Sequence, residues 1–214
     1  MEAGTINLKT LVRTVAAVAA VEVGLSLLTA AGRFHPMMFL GAARLLEILL
    51  IILVVRLWTD DLEPLGLSVL GIPYALERGL LWSAGLGLLA ACAWVILLSV
   101  GLQPLRLIRA PLPLGGEDLV LLFAVGGLLG PVAEELFFRG VLYGFFRRWG
   151  APAAVLLSSL IFVLSHPTSQ GIRLTQTVGG ILFAVAYEVE RSLLVPITIH
   201  VLGNLAIFSL SFLA

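Results

Sequence analysis

Lysine and cysteine each occur once in the 214 residues of this chain, and only 12% of its side chains are charged. A soluble domain draws about a quarter of its residues from Asp, Glu, Lys and Arg, so a mainly water-facing surface is excluded. The solitary Cys92 rules out an intramolecular disulfide and any cysteine-rich metal site. Thirteen basic side chains cancel thirteen acidic ones, and the basic ones stand singly or in pairs, so no nucleic-acid partner is implied. Several hydrolytic signatures are also missing. There is no HExxH helix, no GxSxG elbow and no pair of intramembrane aspartates, because Asp60, Asp61 and Asp118 lie at the ends of apolar runs or between them.

What is abundant is hydrocarbon: 60% of the residues are hydrophobic, and the mean hydropathy is +1.09. A helix needs about 20 apolar residues to cross a bilayer core. Seven runs qualify as candidates: Leu11–Ala31, Pro36–Trp58, Gly79–Leu102, Asp118–Arg147, Pro152–His166, Leu174–Tyr187 and Ser192–Ala214. The expected fold is therefore all-α, a polytopic transmembrane bundle of about seven spans. The fifth and sixth runs are short, which suits helices that end at a polar cavity inside the membrane. The first run is too long for a signal h-region and carries Glu22, so it reads as a retained span. Thr59–Arg78 reads as a polar connection with an interfacial stretch near Leu65–Leu76. Basic residues near the span ends divide seven (Lys9, Arg13, Arg56, Arg78, Arg147, Arg148, Arg191) against four (Arg33, Arg106, Arg109, Arg173), which puts the N-terminus in the cytoplasm.

A charge inside a span costs about 2.5 kcal/mol or more at the bilayer centre, so each needs a partner or a purpose. The fourth run holds Glu134, Glu135 and Arg139. Arg139, four residues after Glu135, shares its helix face and can hold that carboxylate ionised. Glu134 points about 100° away, free for proton transfer. The bland alternative is a buried ion-pair trio that only fixes packing. His166 ends the fifth run just before Pro167, and His200 and Asn204 lie one turn apart on the seventh. Counted at about 1.5 Å per residue, these groups reach similar depths, so they are expected to converge on one intramembrane pocket. There a glutamate and a histidine can activate water for attack on an amide while His200 and Asn204 face the oxyanion. Two histidines and a carboxylate can equally bind Zn2+, with Glu134, His166 and His200 as ligands. A carrier or proton relay uses the same residue types. Arg44 and Glu47, one turn apart, read as a packing pair, and Gly126, Gly127 and Gly130 before Pro131 predict close helix approach and a bend.

Three motifs occur in order on separate runs: EELFFR (Glu134, Glu135, Arg139, followed by Gly140), the FxxxH of Phe162 and His166, and the HxxxN of His200 and Asn204. Over about Leu119–Leu210 the chain resembles the CAAX prenyl protease and bacteriocin-processing (CPBP, or Abi) membrane proteases. The resemblance implies an intramembrane endopeptidase with Glu134 and His166 as the water-activating pair, Glu135 and Arg139 holding the site, and His200 and Asn204 stabilising the oxyanion. It leaves metal dependence open, leaning to a metal-free glutamate protease. It also implies a membrane-associated peptide or protein substrate without choosing among prenylated CAAX proteins, bacteriocins and C-terminal sorting signals. The division expected is residues 1–116 as amino-terminal helices with the polar connection, and 117–214 as the CPBP-like catalytic core of one bundle. One lysine against twelve arginines, with much Ala, Leu and Gly, reads as a bacterial chain, hence an inner-membrane protein. The competing function is a non-proteolytic immunity or scaffold protein, or a small carrier, using the same cavity.

Overall fold

The computed structural model describes residues 6–30, 35–59, 62–67, 71–166 and 174–212. Arg33, Asp60, Asp61, Pro167 and Arg173, used in the sequence reading above, lie outside the described residues. Among the described residues all the regular secondary structure is helical and there is no strand. We number the long helices α1 (Leu8–Ala30), α2 (Pro36–Thr59), α3 (Ile72–Ser99), α4 (Gly116–Trp149), α5 (Ala151–Ser165), α6 (Leu174–Glu190) and α7 (Leu194–Ser211). Each expected run has its helix. Five (α1, α2, α3, α4 and α7) are long and apolar enough to cross a membrane, whereas α5 and α6 have 15 and 17 residues.

One boundary needs correction. The third helix begins at Ile72, inside the stretch read as an interfacial connection, and not at Gly79. Its early start has two causes. Pro73 sits in the first turn, where the missing N–H is no loss and the fixed φ is already helical. Arg78 does not mark a span end, because its guanidinium is taken up by Glu190 of α6 through Nε and Nη2 at 2.8–3.1 Å. Trp82, one turn further on, also donates to Glu190, at 2.8 Å.

The long helices turn apolar side chains outward, while Glu47, Glu135 and Arg139 are buried inside. Buried residues of α3 are Ala75 and Gly79, while Leu80, Leu88, Leu89 and Val95 point outward, an arrangement that lipid stabilises and water does not. The protein is an integral membrane protein. Inside, Ile51 and Val55 of α2 meet Leu136 and Val141 of α4, Tyr187 of α6 and Leu193 in one core. Leu65, in the turn Glu63–Leu65, reaches into it and lies where a side chain on Gly140 would collide, 2.8 Å from the Cβ position. Gly66 in the same turn takes φ 69°, the left-handed region that glycine enters without steric cost. At the end of α4, Glu188 gathers Tyr143, Arg147 and Arg191. On the opposite side His35 meets Asp118 at 2.5 Å, tying the start of α2 to the start of α4.

Candidate active site

Helix α4 is not uniformly wound. It is π-helical over Leu122–Leu129 and again over Leu136–Tyr143, with an ordinary α-turn, Gly130–Glu135, between them. Single wide turns are costly and recur at functional sites. Here they flank the two adjacent carboxylates. The Gly130 N–H reaches back five residues to the Val125 carbonyl. Gly126 and Gly127 leave the space that α7 fills, since a Cβ on Gly127 would lie 2.7 Å from Leu205.

Glu135 and Arg139 are fully buried and paired at 2.9 Å, as i,i+4 spacing on one face demands. The guanidinium does more than neutralise the acid. Its other arm donates to the Gly180 carbonyl of α6 at 3.0 Å, and its carbon lies 4.6 Å from the Phe162 ring centroid and 5.2 Å from that of Phe183. Aromatic faces and a carbonyl thus replace the water that the cation has lost. Ser159 of α5 also donates to the Gly180 carbonyl, at 2.8 Å.

His200 on α7 shares its Nδ1 with Glu135 Oε1 at 2.8 Å, and its ring stacks on Phe183. A carboxylate cannot donate, so Nδ1 carries the proton, which fixes the ring and aims Nε2 at Glu134 Oε2, 3.8 Å away. His166 is built the same way from another helix. Its Nδ1 donates to the Phe162 carbonyl at 2.7 Å, and its Nε2 faces the same Glu134 oxygen at 3.5 Å. The FxxxH spacing thereby gains a physical reason: one residue supplies the ring under Arg139 and the carbonyl that orients His166. Two imidazole nitrogens and one carboxylate oxygen meet at separations that a single water molecule bridges. Glu134 and His166 remain 22% and 29% exposed, whereas Glu135 and Arg139 are sealed, so solvent or substrate reaches the first pair alone.

Asn204, one turn beyond His200 on α7, bonds to the backbone of α4. Its side-chain N–H donates to the Gly126 carbonyl at 2.9 Å. The donors suit a metal in kind, and Glu135 behind His200 is the sort of outer-shell carboxylate that zinc sites use. Yet among the described residues no group of three or more His, Cys, Asp or Glu side chains is arranged to hold an ion.

Two features carried no signal in the sequence, the Gly180 carbonyl and the Phe183 stack; the expected Arg44–Glu47 pair forms, and Arg44 on α2 also meets Glu22 on α1 at 2.7 Å.

Comparison with known proteins bears on this same region. Residues 116–206 match the family model for type II CAAX prenyl endopeptidase, Rce1-like. All three motifs fall inside that Rce1-like segment, and the resemblance read from them holds over it. The chain is 32% identical over 85 residues to the Bacillus subtilis (strain 168) protein named "Putative membrane peptidase YdiL", covering 39% of this chain and 34% of that one. It is 36% identical over 84 residues to "Membrane-embedded CAAX protease MroQ" of Staphylococcus aureus (strain USA300), covering 36% of this chain and 34% of that one. The match thus spans about a third of the length of these curated relatives. No solved structure matches the chain.

Proposed function

We propose that the protein is an intramembrane endopeptidase that hydrolyses a peptide bond of a membrane-associated protein or peptide. The observation that carries this reading is the convergence of His166 and His200, from separate helices, on one oxygen of Glu134 within a lipid-facing bundle. The Rce1-like segment and the peptidase names of the relatives support it.

Water held between Glu134 and His166 loses a proton to the carboxylate as its oxygen attacks the scissile carbonyl carbon. His166, its Nδ1 proton engaged by the Phe162 carbonyl, offers the Nε2 lone pair that orients that water. Charge then develops on the carbonyl oxygen. His200, as the imidazolium whose Nδ1–H is held by Glu135, donates from Nε2 to that oxyanion. When the tetrahedral carbon collapses, the C–N bond breaks and the proton stored on Glu134 passes to the leaving nitrogen. Glu135 and Arg139 touch no reacting atom and hold the geometry. A group fixed before the reaction needs no reorganisation during it, which is where a low-dielectric site gains most.

The protein in this reading lies in a bacterial inner membrane with its N-terminus in the cytoplasm, and its substrates are bacterial membrane peptides. Comparing membrane and secreted proteomes of cells carrying wild type or Glu134→Gln tests it. Precursors with extended C-termini, accumulating only with the variant, are expected; identical proteomes with both proteins folded and natural partners present would sink the proposal.

The metal-free form of the mechanism makes its own prediction. Treatment of the purified protein with EDTA or 1,10-phenanthroline leaves cleavage unchanged. Loss of activity restored by Zn2+ would instead assign Glu134, His166 and His200 as ligands.

A further inference from the structure

We infer that Asn204 is a positioning residue: it supplies the hydrogen-bond donor that Pro131 cannot, and so holds the wide turn of α4 that sets Glu134. The inference rests on the reading of Glu134 as the reacting carboxylate.

The argument begins in the backbone. The Gly130 N–H bonds the Val125 carbonyl, five residues back. Continued by one residue, that register requires the N–H of residue 131 to bond the carbonyl of Gly126. Residue 131 is proline and has no N–H. The Asn204 amide of α7 donates to that same Gly126 carbonyl at 2.9 Å. A carbonyl without its donor in a low-dielectric interior is costly, so the turn relaxes toward another winding unless something replaces the missing bond.

The reach of Asn204 is itself prepared. Gly126 and Gly127 carry no side chains, and α7 fills the space that side chains there would occupy: Phe208 lies 3.3 Å from the Cβ position of Gly126 and Leu205 lies 2.7 Å from that of Gly127. Glycines, proline and asparagine therefore form one device. The glycines admit α7, the proline leaves the gap in the register, and the asparagine closes it. Glu134 begins three residues beyond Pro131, on the α-turn that this bond ties to α7, which also carries His200. A shift between one winding and the other rotates a side chain by tens of degrees, since a residue occupies about 100° of an α-turn and less of a wider one. That is enough to take Glu134 away from both imidazoles.

A readout that needs neither substrate nor catalysis separates this inference from the proposed activity. Full-length protein in lipid vesicles is treated with dicyclohexylcarbodiimide, and the labelling of Glu134 is measured by peptide mapping relative to that of Glu47, which lies on α2 and serves as internal reference. Asn204→Ala is expected to change the Glu134-to-Glu47 labelling ratio several-fold. Adding Pro131→Ala, which gives residue 131 an N–H, is expected to return the ratio to the wild-type value, or to restore folding if Asn204→Ala alone does not fold. An unchanged ratio in Asn204→Ala overturns the inference. So does a double variant no nearer to wild type, in ratio or in folding, than Asn204→Ala. An asparagine that acts only as an oxyanion donor gives the first of these results.

Discussion

Glu134→Gln is expected to abolish hydrolysis, by about 10²–10⁴-fold or more, while the protein stays folded and still holds its substrate. The substitution keeps the shape of the side chain and removes its ability to take a proton. Folding is spared because Glu134 is not part of the sealed ion pair: Arg139 bonds Glu135, and Glu135 bonds His200. The Glu134 side chain is 22% exposed, so a neutral amide there finds solvent or His166 as a partner and leaves no buried charge behind. Turnover of the purified variant, alongside its elution profile in detergent and its retention of a membrane peptide, checks the two halves separately. Residual turnover near wild type would remove Glu134 from the chemistry.

The second large effect is on stability. Arg139→Leu leaves the fully buried Glu135 carboxylate without its cation, and removing one partner of a buried pair costs about 3–5 kcal/mol. The loss extends past the pair. The bond to the Gly180 carbonyl disappears, and with it the tie between α4 and α6 beside Ser159. Arg139→Lys keeps the charge, but a single ammonium lacks the planar fork that reaches Glu135 and Gly180 together, so it should recover only part of the stability. Arg139→Leu combined with Glu135→Leu removes both charges and should recover more than Arg139→Leu alone. Unfolding midpoints in detergent order the variants, and equal midpoints for wild type and Arg139→Leu would mean that the pair does not hold the bundle together.

The helices were legible because lipid imposes a length: runs of about 20 apolar residues can do little else. The start of α3 was hidden for a reason that local reading cannot overcome. Arg78 and Glu77 look like the end of a span until Glu190, more than a hundred residues away, supplies the partner for Arg78. The Glu135–Arg139 pair was visible because i,i+4 spacing is a property of the chain itself. The Gly180 carbonyl that shares Arg139 was not, since a backbone acceptor leaves no mark in the sequence. His200 and Asn204 show the same division. Their spacing puts both on one face of α7, yet what each meets is decided by α4, where one turn presents Glu135 and the preceding wide turn presents the Gly126 carbonyl. The sequence hinted at that turn only through its glycines and Pro131, enough to predict a bend and too little to reveal the register.

The central claim is that water, activated at Glu134 within the membrane, enters the product of a broken peptide bond. Wild-type protein in sealed lipid vesicles, supplied with a precursor found by the proteome comparison, can be run through a single turnover in ¹⁸O-labelled water. The account predicts a new C-terminal carboxyl carrying one labelled oxygen, formed by wild type and not by Glu134→Gln. Equal product from both proteins, or passage of the peptide across the vesicle wall without cleavage, would contradict it.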